Sequence, residues 1–141
     1  MGGNGVRTIV HDVETLSLHD QVVRLIGRRW TNSVSCNLET NPGTVTNGWA
    51  SSARSAPDIV GWAQNTGRNT PLWIAEVETE DTITEEKARD RWQDFSAMGV
   101  PLILIVPRGY KALAQFFAAR VGVSIAGIYE YALSENELEL T

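Results

Sequence analysis

Three carboxylates hold the most chemical promise in this chain. Asp58 follows Pro57, and Glu76 and Glu78 flank Val77 further along. Side chains alternate faces along a strand, so Glu76 and Glu78 point the same way while Val77 faces the core. A hairpin partner strand brings Asp58 to the neighbouring position, and the three acids then converge beside Ile59, Trp73 and Ile74. Carboxylates held that close resist full ionisation. A hard divalent cation relieves the repulsion, and all-oxygen ligation with open water positions suits Mg2+ or Mn2+. Asp58, Glu76 and Glu78 are therefore the expected metal ligands. Two such ions can clamp a scissile phosphate, one orienting an activated water and the other stabilising the leaving oxygen. The bound charge also lets an acidic site attract phosphate.

The elements that must position these acids are legible from periodicity. Leu18, Val22, Leu25 and Ile26 form the apolar stripe of a helix from about Leu16 to Trp30, with Ser17 as N-cap and Asp20 in the first turn. Residues 34–39 alternate apolar and polar as a half-buried strand does, and Asn41-Pro42-Gly43 ends it. Thr44 to Ala56 reads as a long loop or an irregular hairpin arm carrying Trp49 and Arg54, and Arg54 is a candidate phosphate contact. Asp58 to Trp62 and Leu72 to Glu78 are strands joined by turn residues at 65–69. Thr82 to Ala97 is a helix with Thr82 and Glu85 in capping-box spacing and Gly99 as its stop. Leu102 to Val106, apolar on both faces, is a central strand. Tyr110 to Val121 is a helix expected to turn Leu113, Phe116 and Phe117 inward, and Ile125 to Leu133 is the last strand. Trp62, Trp73 and Trp92 fit core positions. Glu135, Glu137 and Glu139 read as a short solvated acidic tail. The fold class is α/β, with a mixed sheet between helices.

Pro57-Asp58, then Glu76-Val77-Glu78 after a hairpin, then a helix and an apolar strand, resembles the PD-(D/E)xK superfamily of restriction-endonuclease-like nucleases. The resemblance covers roughly residues 15–132, because the αβββαβαβ order matches as well as the motif. It implies metal-dependent phosphodiester hydrolysis, with Asp58 and Glu76 as metal ligands. The family pattern ends in Lys where this chain has Glu78. Three readings stay open: a working Glu78 variant, a lysine supplied by Lys87 from the following helix, or an inactive site. Gln93 resembles the helix glutamine that some branches bring to the phosphate. The first helix of such nucleases often adds an acid or a His on the metal side, which places His19 or Asp20 there. His19 is a candidate ligand or proton shuttle, and a solvated helix histidine is its ordinary alternative.

Composition narrows the remaining possibilities. The 141 residues suit one domain, with 43% hydrophobic and 21% charged residues. Residues 1–70 carry six basic and five acidic side chains and residues 71–141 six and twelve, which gives the net charge of −5. Nucleic-acid binding by bulk charge is excluded on that balance. One cysteine and two histidines exclude zinc-finger and zinc-deaminase sites, and no Gly-rich phosphate loop or Gly-x-Ser-x-Gly elbow occurs. No apolar run approaches the roughly 20 residues of a membrane span, and the first five residues lack a signal-peptide layout. The sequence therefore leads to an expected Mg2+- or Mn2+-dependent nuclease with Asp58, Glu76, Glu78, Lys87, Gln93 and His19 at its site. Its expected partner is nucleic acid, DNA in the first instance. A core this small has little room for a separate sequence-reading domain and is expected to pair as a cytoplasmic homodimer. The alternative is a catalytically inactive nuclease-fold module acting in binding or assembly. An acidic DNA mimic is a weaker third reading, because the acids concentrate in one segment.

Overall fold

The computed structural model describes residues 17–31, 37–40, 57–63, 71–135 and 137–141. Cys36, the loop with Trp49 and Arg54, and the turn at 65–69 lie outside the described residues. The elements are α1 (Leu18–Thr31), β1 (Asn37–Thr40), β2 (Ile59–Trp62), β3 (Pro71–Val77), β4 (Leu102–Pro107), α3 (Lys111–Val121), β5 (Gly127–Ser134) and β6 (Glu137–Leu140). Between β3 and β4 runs one further helix, α2, in three pieces: Glu85–Lys87, a π-helical stretch Ala88–Trp92, and Gln93–Ser96.

These strands form a single mixed sheet in the order β1-β2-β3-β4-β5-β6. β2 is antiparallel to β1 and β3, β4 is parallel to β3 and β5, and β6 closes the sheet antiparallel to β5. Parallel neighbours need a crossover, and right-handed crossovers that advance in one direction leave their helices on one face. α2 and α3 accordingly share a face, where Trp92, Phe95, Ala114 and Ala118 pack with Val60, Trp62, Ile74, Leu104 and Val106. α1 covers the other face, where Val22, Val23, Ile26 and Trp30 pack with Ile59, Ala75, Val77 and Ile105. β4 supplies both cores, as its apolar run requires.

Local chemistry explains several boundaries. Ser17 Oγ accepts the Asp20 amide at 3.1 Å and starts α1 as expected. Thr84, not Thr82, is the N-cap of α2 and accepts the Lys87 amide. Gly122 ends α3 in the left-handed conformation at φ 75°. At Gly61, beside a register shift in the β2–β3 ladder, an added Cβ would lie 2.3 Å from the Trp73 ring.

Four expectations need correction. The buried face of α1 runs through Val22, Val23, Ile26 and Trp30, while Leu18 is exposed. α3 turns Ala114 and Ala118 inward and leaves Leu113 and Phe116 exposed, since alanines let the helix lie closer to the sheet. Trp73 is only half-buried; it meets Trp30 edge-on at 5.5 Å. The acidic tail is β6: Tyr131 pairs with Leu140 and Ser134 with Glu137. Leu138 and Leu140 pack on the α1-side core, Glu139 pairs with Arg108, and Arg29 donates to the Leu138 carbonyl at 3.0 Å. Among the described residues no helix is long and apolar enough to cross a membrane.

Candidate active site

The acids meet where the sheet topology sends them. β3 and β4 end at the same edge of the sheet, and antiparallel β2 begins there. The register pairs Ile59 with Ala75, which sets Asp58 opposite Glu76. The Asp58 amide donates to Glu76 Oε1 at 3.2 Å, and the Val77 amide donates to Asp58 Oδ2 at 2.8 Å. The N-terminus of α1 reaches the same edge, and His19 Nε2 lies 3.0 Å from Asp58 Oδ2. His19 Nδ1 lies 3.0 Å from Asp20 Oδ1. Asp20 therefore reaches the cluster through His19.

Glu78 lies just past β3, fixed at both ends of its peptide unit. Its amide donates to the Ile105 carbonyl at 2.8 Å, and its carbonyl accepts from the Tyr131 hydroxyl at 2.8 Å. Its side chain faces α2. Oε1 accepts from Thr82 Oγ1 and Lys87 Nζ, each at 2.7 Å, and Oε2 accepts from Trp92 Nε1 at 2.8 Å. One turn beyond Lys87, Arg91 Nε donates to Glu76 Oε2 at 2.7 Å. Lys87, His19, Asp58, Glu76 and Glu78 are thus brought together as expected. Gln93 is not: its Nε2 donates to the Val121 carbonyl at the end of α3.

Depth separates the two signs of charge. Asp58, Glu76 and Glu78 are all buried, the last two at 1% and 0% exposure. The side chains of Lys87, Arg91 and His19 keep 22%, 28% and 35% of their surface. Acids lie inside and cations lie toward solvent, so this acidic protein presents positive side chains over its buried carboxylates. Burial, and then the charge of Asp58, push the Glu76 carboxyl up to about 8, against the pull of Arg91. Burial also opposes the charge of Asp58, but the His19 imidazole and the Val77 amide outweigh it and hold Asp58 below the usual aspartate range. The bond to Asp58 raises His19 to about 9. Both His19 nitrogens meet carboxylates, so in this structure the raised imidazole is a counter-ion to Asp58. Tyr131 is pushed up to about 12, by burial first and Glu78 next, and stays a donor.

The donor chemistry fits a magnesium-type ion on a carboxylate pair. Such ions keep several waters and commonly take only one or two protein carboxylates plus phosphate oxygens. Asp58 and Glu76 supply hard oxygen donors from neighbouring strands, joined by the Asp58 amide on Glu76 Oε1. Among the described residues no group of three or more His, Cys, Asp and Glu could hold a metal ion. Glu78 shares the face, with its oxygens taken up by Lys87, Thr82 and Trp92. A groove of ≈ 550 Å³ adjoins this edge, lined by Leu18, Thr79, Glu80, Asp81, Arg108 and Tyr131 among others.

Sequence reasoning missed Arg91, Thr82 and Tyr131 and read Trp92 as core alone. For Arg91 a signal existed, because Lys87 and Arg91 stand four apart and share a helix face. Trp92 is fully buried and also spends its one polar atom on Glu78. No family model, no curated protein and no solved structure matches this chain.

Proposed function

We propose that this protein is a divalent-metal-dependent phosphodiesterase acting on nucleic acid, with DNA as its substrate and a restriction-endonuclease-like core. One observation carries the proposal. Asp58 and Glu76 form a bonded pair at the ends of adjoining strands, and Lys87 reaches Glu78 from the next helix. Lys87, in the first turn of α2, would stand in for the lysine absent from position 78. The strand order, with β2 alone antiparallel among the first five strands, supports the same reading.

Asp58 and Glu76 would hold Mg2+ or Mn2+, which when bound supplies the charge that activates water and stabilises phosphoryl oxygens. The protein's own groups have separable tasks. His19 keeps Asp58 ionised. Glu78, held by Thr82 and Trp92, fixes the Lys87 ammonium at the mouth of the site. Lys87 and Arg91 offer donors to the non-bridging oxygens of a phosphodiester, whose geometry suits a guanidinium fork. A homodimer belongs to this proposal, with exposed Leu113 and Phe116 on α3 as apolar surface for it; a solution mass equal to the monomer opposes it.

The test is nicking of supercoiled plasmid, and cleavage of single-stranded and branched DNA, with millimolar Mg2+ or Mn2+ or with EDTA. Cleavage should need metal, vanish in Asp58→Asn and Glu76→Gln, and fall about 10²-fold in Lys87→Met, the usual order for losing one charge-stabilising donor. Absence of cleavage on every substrate favours the inactive nuclease-fold module, in which the same ion pairs serve stability alone.

A further inference from the structure

The buried acids of this site already have counter-ions, and they are side chains. Arg91 Nε sits 2.7 Å from Glu76 Oε2, Lys87 Nζ sits 2.7 Å from Glu78 Oε1, and His19 Nε2 sits 3.0 Å from Asp58 Oδ2. His19 and Arg91 both face carboxylates that the proposed function needs for metal, and of the two Arg91 is the group whose planar fork can pass to a phosphate. Its guanidinium also lies over the Phe95 ring, 5.0 Å from the centroid, so it is seated from two sides. A guanidinium and a divalent ion on one buried carboxylate repel each other in a medium that screens poorly. Relief requires an anion for the guanidinium, and a phosphodiester oxygen pair is the partner that its planar fork fits best. Arg91 keeps 28% of its side-chain surface while Glu76 has 1%, so an arriving phosphate meets the guanidinium before the carboxylate.

We infer that Arg91 is the resident counter-ion of Glu76, that metal loading displaces it, and that a nucleic-acid phosphate draws it away, so that metal and substrate bind in a mutually dependent way. The inference rests on the phosphodiesterase reading and adds a regulation to it: the free protein is held in a closed, metal-poor state. Coupling between two ligands is reciprocal, so each must tighten the other by the same factor.

The experiment measures Mn2+ affinity by the loss of the free-ion paramagnetic resonance signal, with and without a short phosphorothioate DNA duplex. The proteins are the unmodified chain, Arg91→Gln, and Arg89→Gln. Arg89 pairs with Glu85 instead, 2.6 Å away, and its variant controls for net charge. In the unmodified chain the duplex should tighten Mn2+ binding about tenfold or more, and Mn2+ should tighten duplex binding by the same factor. Arg91→Gln should bind Mn2+ about tenfold more tightly without duplex and lose most of the duplex effect, while Arg89→Gln behaves as the parent. Equal Mn2+ affinity with and without duplex in the unmodified chain overturns the inference and leaves the phosphodiesterase reading intact. So does an Arg91→Gln variant that binds Mn2+ no better than its parent. Failure of every protein to bind Mn2+ under either condition overturns the metal reading itself, and the inference with it. Should Arg91→Gln not fold, the duplex dependence in the unmodified chain decides alone.

Discussion

The indole nitrogen of Trp92 lies 2.8 Å from Oε2 of Glu78, a carboxylate with no solvent exposure. Lys87, five residues earlier, donates to the other oxygen of the same carboxylate. In a regular α-helix two residues five apart point about 140° away from each other and cannot grip one group. The π-helical stretch Ala88–Trp92 removes the conflict, because its ring closes between residues five apart, as in the bond from the Gln93 amide to the Ala88 carbonyl. One extra residue in a turn is what allows Trp92 to face Glu78 alongside Lys87.

Trp92→Phe keeps most of the ring and removes the donor. Glu78 Oε2 then loses its indole partner at a position with no solvent exposure, at an expected cost of about 1–3 kcal/mol. Urea denaturation should show a lower midpoint with an unchanged slope. An unchanged midpoint would mean that the bond contributes nothing to the folded state.

The His19–Asp58 pair predicts a pH signature. The folded-state value of His19 is raised from 6.5 to about 9. Its stabilisation is therefore complete below about pH 6.5 and is lost as the pH rises through about 9. About a third of the side chain is exposed, so screening keeps the effect under about 1 kcal/mol. The stability gap between the parent and His19→Gln, measured in EDTA, should close between those limits. Glu76, raised to about 8 in part by the charge of Asp58, titrates in the same window, so both proteins should carry Glu76→Gln. A gap that stays constant with pH would show that His19 is not protonated in the fold.

The orientation of α3 predicts an inverted order of mutational costs. Phe116 is 56% exposed and Ala118 is 4% exposed. In the monomer, at dilutions below any self-association, replacing the large residue by Phe116→Ser should change stability by no more than about 0.5 kcal/mol. Enlarging the small one by Ala118→Leu should cost about 1–3 kcal/mol through overpacking against β4 and β5. Thermal unfolding of the two variants decides the matter, and the opposite order would turn the helix over.

Local patterns were enough for much of this protein. Alternation along residues 72–78 placed Glu76 and Glu78 on one face, and the hairpin brought Asp58 beside Glu76, because a strand's period of two leaves no other choice once one face is apolar. The apolar run at 102–106 and the crossover helices on either side of it required a parallel centre to the sheet. Lys87 was readable as a spatial candidate from its place early in α2. Other features depended on what each element met across space. Glu137-Leu138-Glu139-Leu140 alternates as well as any strand here, but its charge reads as solvation until β5 offers it an edge. α3 is apolar nearly all round, so its sequence holds no preferred face, and close approach to the sheet selected the alanines. Trp92 reaches Glu78 beside Lys87 because packing opened a π turn, and no helical wheel of constant pitch contains that turn. Residue types and spacing determined which groups could do chemistry; the tertiary structure decided which of them touch, since contact depends on the register, pitch and depth that neighbouring elements impose.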